Sequence, residues 1–175
     1  RGRDGFWTFG SHNYTPREIA MRQMYLSHPD EFLLWYFKRF ASYRHIQPNT
    51  VHHWLTDKRL FTQNIDGLDG KAGNVAYVPI HGRLDKVTVL HEQGLDVPLI
   101  DAPWEDVVAA CDDLDDSARL TPVLLDAFKI SKKTLTPEPD VSLKPFVLLF
   151  DEYYTDLYRM SEAEYWMHDA QRIVF

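Results

Sequence analysis

Two periodicities alternate along this chain. Thr15-Pro16-Arg17-Glu18 is a capping box with proline at the first helical position and predicts a helix over about 16–26. Pro29 opens another, and over 30–43 the apolar residues Phe32, Leu33, Trp35, Tyr36, Phe37 and Phe40 cover more than one helical face, which places that helix between two layers. Short apolar runs near 59–62, 75–80, 146–150 and 171–175 have the length and composition of buried strands, and the long connections between them predict parallel crossovers. Residues 103–114 and 121–130 read as two short amphipathic helices, each with a proline near its start, and 161–170 as the last helix. The class these elements predict is α/β: a Rossmann-like parallel sheet flanked by helices, one domain over 1–175, with a small inserted lobe over about 85–142 packed by its own apolar contacts.

Composition narrows the picture without changing it. A chain of 175 residues with 45% hydrophobic residues can bury a single core, and the net charge of -7 lacks the basic excess of a nucleic-acid binder. No apolar run reaches the length of a membrane span, so no membrane partner is expected. Cys111 is the only cysteine, which rules out an intrachain disulfide and a cysteine-built zinc site, and fits a reducing cytoplasm. Both ends look cut, because 171–175 is a strand-like run with no loop after it.

The candidate chemistry is concentrated in residues 60–84. The apolar run of Leu60 and Phe61 stops at Thr62-Gln63-Asn64, and an α/β protein presents polar side chains in this way at the carboxyl edge of its sheet, where ligands bind. A second run ends on His81-Gly82 at the equivalent edge, so His81 and the Asn64/Asp66 pair are expected to face one crevice. Taken alone, His81 also fits a structural histidine at a strand end. His45, His52 and His53 lack a carboxylate or thiol at ligand spacing and read as helix-surface residues.

Thr62 to Leu68 (TQNIDGL), then Ala72-Gly73, then His81-Gly82 resembles the signature core of the sirtuins, the NAD-dependent protein deacylases. Arg1 followed by Asp4-Gly5-Phe6-Trp7 is similar to the family pattern in which an arginine lies on a mobile loop over NAD. Tyr36 and Arg39, three apart on one helical face, look like the pair found in the sirtuins that remove succinyl and malonyl groups; a core tyrosine beside a snorkelling arginine is the other reading. Residues 143–152 (LKPFVLLFDE) resemble the segment that lines the acyl-lysine tunnel, which makes Val147 and Phe150 candidate substrate contacts. Asp151 stands where that segment has glycine, and brings bulk and charge to a site of close backbone approach.

The resemblance implies attack of an acyl-lysine oxygen on the nicotinamide-bearing ribose carbon of NAD. His81 then takes a proton from a ribose hydroxyl, Gln63 holds ribose hydroxyls, Asn64 and Asp66 fix the nicotinamide pocket, and Ile65 offers its apolar side to nicotinamide and acyl chain. The partner implied is an acylated protein or peptide. Typical sirtuins carry two Cys-x-x-Cys pairs after the histidine to hold zinc; Val89 and Glu92 occupy the places of the first pair here, so the lobe is expected to be metal-free. NAD hydrolysis or ADP-ribosyl transfer, and a binding module without turnover, remain alternatives. Product analysis separates them.

Overall fold

A computed structural model describes residues 13–174. The capping box forms as expected, with Thr15 accepting from the Glu18 amide and Glu18 reaching back to the Thr15 amide. It opens only a four-residue helix, α1 (Pro16–Ile19), and a break at Ala20-Met21 separates this from α2 (Arg22–Ser27). α3 (Pro29–Tyr43) is the long helix the apolar pattern calls for. Phe32, Leu33, Tyr36 and Phe37 are fully enclosed, so its excess of aromatics faces protein on several sides.

Next come α4 (Thr50–Trp54), β1 (Leu60–Thr62), α5 (Leu68–Lys71) and β2 (Tyr77–Pro79). β1 and β2 run parallel, with Leu60, Phe61 and Thr62 opposite Tyr77, Val78 and Pro79. His52 closes a capping box at the start of α4, accepting from the Asn49 amide through Nδ1 at 3.1 Å; its role is local structure.

β3 (Gly82–Val89) follows directly, with β4 (Ile100–Asp101) antiparallel on one side and β5 (Leu143–Val147) antiparallel on the other. The run near 146–150 therefore does not extend the parallel sheet as the sequence suggested. Its strand covers 143–147 and pairs with β3, whose polar Arg83, Asp85 and Lys86 mask an alternation that buries Gly82, Leu84 and Val87. Residues 171–174 form no strand, and Phe175 lies outside the described residues.

α6 (Trp104–Ala110) begins after Pro103 as expected. α7 (Ser117–Ala127) starts a turn earlier than its proline implied, because Asp116 accepts from the amides of Ala118 and Arg119 and sets the cap there. The segment expected as a separate lobe shares the main core: the Trp104 ring packs on Phe37, Phe40 and Phe128, and its indole N–H donates to the Leu84 carbonyl at 2.7 Å. A 3-10 turn (Asp156–Tyr158) leads into α8 (Met160–Asp169). Arg159 ties this end to β2 by donating to the Tyr77 carbonyl at 2.8 Å. No helix among the described residues is long and apolar enough to cross a membrane.

Candidate active site

The parallel register of β1 and β2 makes the site. With Thr62 opposite Pro79, and the Ile80 amide donating to the Thr62 carbonyl at 3.0 Å, Gln63-Asn64 and His81 leave the sheet at the same edge. Thr62 Oγ1 accepts from the Asn64 amide at 3.1 Å and turns the chain, leaving Gln63 and Asn64 exposed. Asp66 is exposed too, and its Oδ1 accepts from the Leu68 amide at 2.9 Å, an Asx turn that opens α5 behind Gly67 at φ 73°. Ile65 differs from expectation. Its side chain is 8% exposed and joins the apolar core, and its carbonyl accepts from the Leu84 amide at 2.8 Å, so it fixes the turn against β3.

His81 is half-buried at the end of this edge. Burial lowers its pKa below the ordinary 6.5, and a hydrogen bond with the Gln63 backbone opposes that shift in part. The imidazole therefore favours its neutral, proton-accepting form. Gly82 holds the next peptide in place. At φ +82° it occupies left-handed space, and a Cβ there would lie 2.0 Å from the Phe146 carbonyl oxygen. The histidine-glycine pair is thus a half-buried imidazole followed by a crossing point where β3 and β5 touch.

Of the four residues expected at the acyl group, Phe150 is exposed and Arg39 half-buried, whereas Tyr36 and Val147 are enclosed. Arg39 lies over the Trp35 ring with its guanidinium carbon 3.4 Å from the centroid, and Nη1 donates to the Trp35 carbonyl at 2.9 Å. Burial pulls its pKa down to about 10. Tyr36 packs against Phe32 and Trp35, and burial drives its phenol pKa well up. It is a core residue that a ligand cannot touch in this conformation. Arg1 lies outside the described residues.

Two arrangements beside the site escaped the sequence reading. Asp151, expected to bring an uncompensated charge, caps α2 from across the chain, accepting from the Arg22 amide at 2.5 Å and the Gln23 amide at 2.9 Å. Glu152, whose side chain is 4% exposed, then pairs with Arg22 at 2.9 Å and with buried Lys144 at 3.1 Å, and accepts from the Leu149 amide at 3.0 Å. The adjacent acids Asp151-Glu152 after an apolar run were a signal of this, but their partners lie far away in sequence. Among the described residues no group of three or more His, Cys, Asp or Glu side chains is arranged to hold a metal ion.

Comparison with known proteins points to one family. The model of the Sir2 family matches residues 1–172. NAD-dependent protein deacylase 1 of Archaeoglobus fulgidus is 33% identical over 91 residues, which take in 48% of this chain and 36% of that protein. NAD-dependent protein deacylase 1 of Caldanaerobacter subterraneus subsp. tengcongensis is 31% identical over 116 residues, 60% of this chain and 46% of that protein. A solved Sir2 homologue in complex with ADP ribose superposes with a TM-score of 0.60 at 22% identity, covering 98% of this chain and 58% of that one. The aligned part is thus only a portion of each relative's length. At that identity the structural likeness is one of fold, and it agrees with the α/β class expected from the sequence.

Proposed function

We propose that this chain, which belongs to the Sir2 family, removes acyl groups from protein lysines with NAD as co-substrate, and that His81 is its general base. One observation carries the reading: the register of β1 and β2 delivers a half-buried imidazole and two exposed amides, Gln63 and Asn64, to one edge of the sheet. These residue types fit the nicotinamide-ribose half of NAD. Amides can donate to and accept from ribose hydroxyls and a carboxamide at once, and a neutral imidazole can accept a hydroxyl proton.

When bound, NAD supplies a ribose carbon whose bond to nicotinamide can break. The chain's own part is to orient and to move a proton. Gln63 holds ribose hydroxyls, Asn64 faces the carboxamide, and Asp66 keeps the turn in shape through its bond to the Leu68 amide. Ile65 supports that turn from the core. His81, with its pKa lowered by burial, is unprotonated at neutral pH and ready to accept. Arg1 is assigned to the NAD side by resemblance alone.

On the substrate side, exposed Phe150 receives the acyl-lysine, and Tyr36 and Val147 back this wall from the core. By resemblance, Arg39 is the cation we assign to an acidic acyl group. Its half-buried guanidinium rests on Trp35, and a guanidinium fork pairs with the carboxylate of succinyl or malonyl, which acetyl lacks. The partner is an acylated protein and the compartment the cytoplasm, where buried Cys111 stays a thiol. We propose no zinc in this lobe.

Incubation with NAD and acetyl- or succinyl-lysine peptides tests the reading. O-acyl-ADP-ribose is the expected product. Free ADP-ribose without peptide consumption would make the protein an NAD hydrolase, and no turnover would make it a binding module.

A further inference from the structure

The Nε2 atom of His81 is not open to the crevice. Tyr154 Oη sits 2.8 Å from it, and the two rings lie nearly parallel, centroids 6.0 Å apart at 27°. The ring's other hydrogen-bond partner is the Gln63 backbone. Among the described residues no charged group contributes to the shift at His81, and the nearest charges along β3, Arg83 and Asp85, form a pair with each other beside Gly67. A proton reaching Nε2 from the crevice must therefore pass the Tyr154 hydroxyl or wait for that side chain to leave.

The chain around Tyr154 is pinned on both sides. Asp151 caps α2 and Glu152 lies in its buried ion cluster. The Tyr153 amide donates to Gln93 Oε1 at 3.1 Å and the Tyr153 hydroxyl to the Gln93 carbonyl at 3.0 Å. Beyond, Tyr158 stacks on Phe146 with centroids 4.9 Å apart at 12°. Tyr154 itself remains 45% exposed, so a hydroxyl entering from the crevice can reach Oη while Oη still contacts Nε2. A phenol suits this position because it donates and accepts through one atom.

We propose that Tyr154 relays the proton from the substrate's ribose hydroxyl to His81. The O–H bond of the ribose hydroxyl breaks and its proton goes to Tyr154 Oη, while the proton already on Tyr154 goes to His81 Nε2. The phenol ends neutral, His81 ends as imidazolium, and the ribose oxygen is left to attack the acyl carbon. The relay rests on the deacylation reading above and adds to it a second residue that touches the reacting atoms.

Tyr154→Phe keeps the ring and removes the relay atom. Deacylation should fall about 100-fold, while nicotinamide release, which precedes the proton transfer, and KM for NAD stay at wild-type values. In mixtures of light and heavy water the wild-type rate should depend on deuterium fraction with the curvature of two protons in flight, which a merely structural role for Tyr154 would not produce. Equal rates for the two proteins, a linear dependence for wild type, or loss of nicotinamide release together with deacylation would each overturn the relay. A wild-type protein that forms no O-acyl-ADP-ribose would remove the proposed function and the relay with it, whereas an active wild type with an unaffected variant would remove the relay alone.

Discussion

Removing the carboxylate of Glu152 should be the most destabilising single change near the site. Its side chain is 4% exposed and holds two cations: Arg22, whose side chain is 16% exposed, and Lys144, whose side chain is 4% exposed. Burial already pulls the Lys144 pKa down, and the Glu152 charge is the main influence opposing that pull. Among the described residues, Glu152→Ala leaves Lys144 hydrogen-bonded to the Pro145 and Val147 carbonyls, at 3.3 and 3.2 Å, with no ion pair, and leaves the Leu149 amide without its carboxylate acceptor. Breaking a buried pair from one side costs about 3–5 kcal/mol. For a chain of this size that lowers Tm by about 6–20 °C. Thermal unfolding followed by circular dichroism at pH 7 measures it. Glu152→Ala combined with Lys144→Met removes the stranded charge along with its partner and should recover most of the loss. A single variant within about 2 °C of wild type, or a double variant no better than the single, would refute the argument.

Asp151→Ala should cost about 1 kcal/mol in urea unfolding by uncapping α2, and Asp151→Asn should restore only part of it, since the Arg22 and Gln23 amides donate to different carboxylate oxygens and an amide side chain keeps one acceptor. Gly82→Ala meets both a positive φ and the Phe146 carbonyl at 2.0 Å, so it should cost about 2–4 kcal/mol and loosen β3 from β5, seen as faster amide exchange in both strands. The lowered pKa of His81 has a definite sign. The folded state resists protonating the ring, so the stability this group contributes is complete above pH 6.5 and is lost as pH falls through the lower folded value. The deacylation rate should show its acid limb in that same region below 6.5; a limb above 6.5 would place the base elsewhere.

Residues 60–84 were legible because nearly everything in them is local. A strand, an Asx turn, a second strand and a glycine with positive φ are set by neighbours in sequence, so the meeting of Gln63, Asn64 and His81 at one edge could be foreseen. The direction of β5 could not. Its apolar residues pair equally well with a parallel or an antiparallel neighbour, and the choice falls to β3, whose charged outer positions hide its inner face. The depth of Tyr36 was hidden for a related reason: periodicity shows which face of α3 it shares with Arg39, but not that a core lies there. Asp151 and Tyr154 act on Arg22, Gln23 and His81, and such long-range partners leave no spacing to detect.

The central claim is that His81 moves the proton in an NAD-dependent deacylation, and His81→Ala addresses it directly. With NAD and an acyl-lysine peptide, wild type should yield nicotinamide and deacylated peptide, followed together by mass spectrometry. The variant should remain folded and bind NAD, because its imidazole lies at the edge of the sheet rather than in the core. Its deacylation should fall by about 100- to 10,000-fold. A folded variant that deacylates at the wild-type rate would contradict the account.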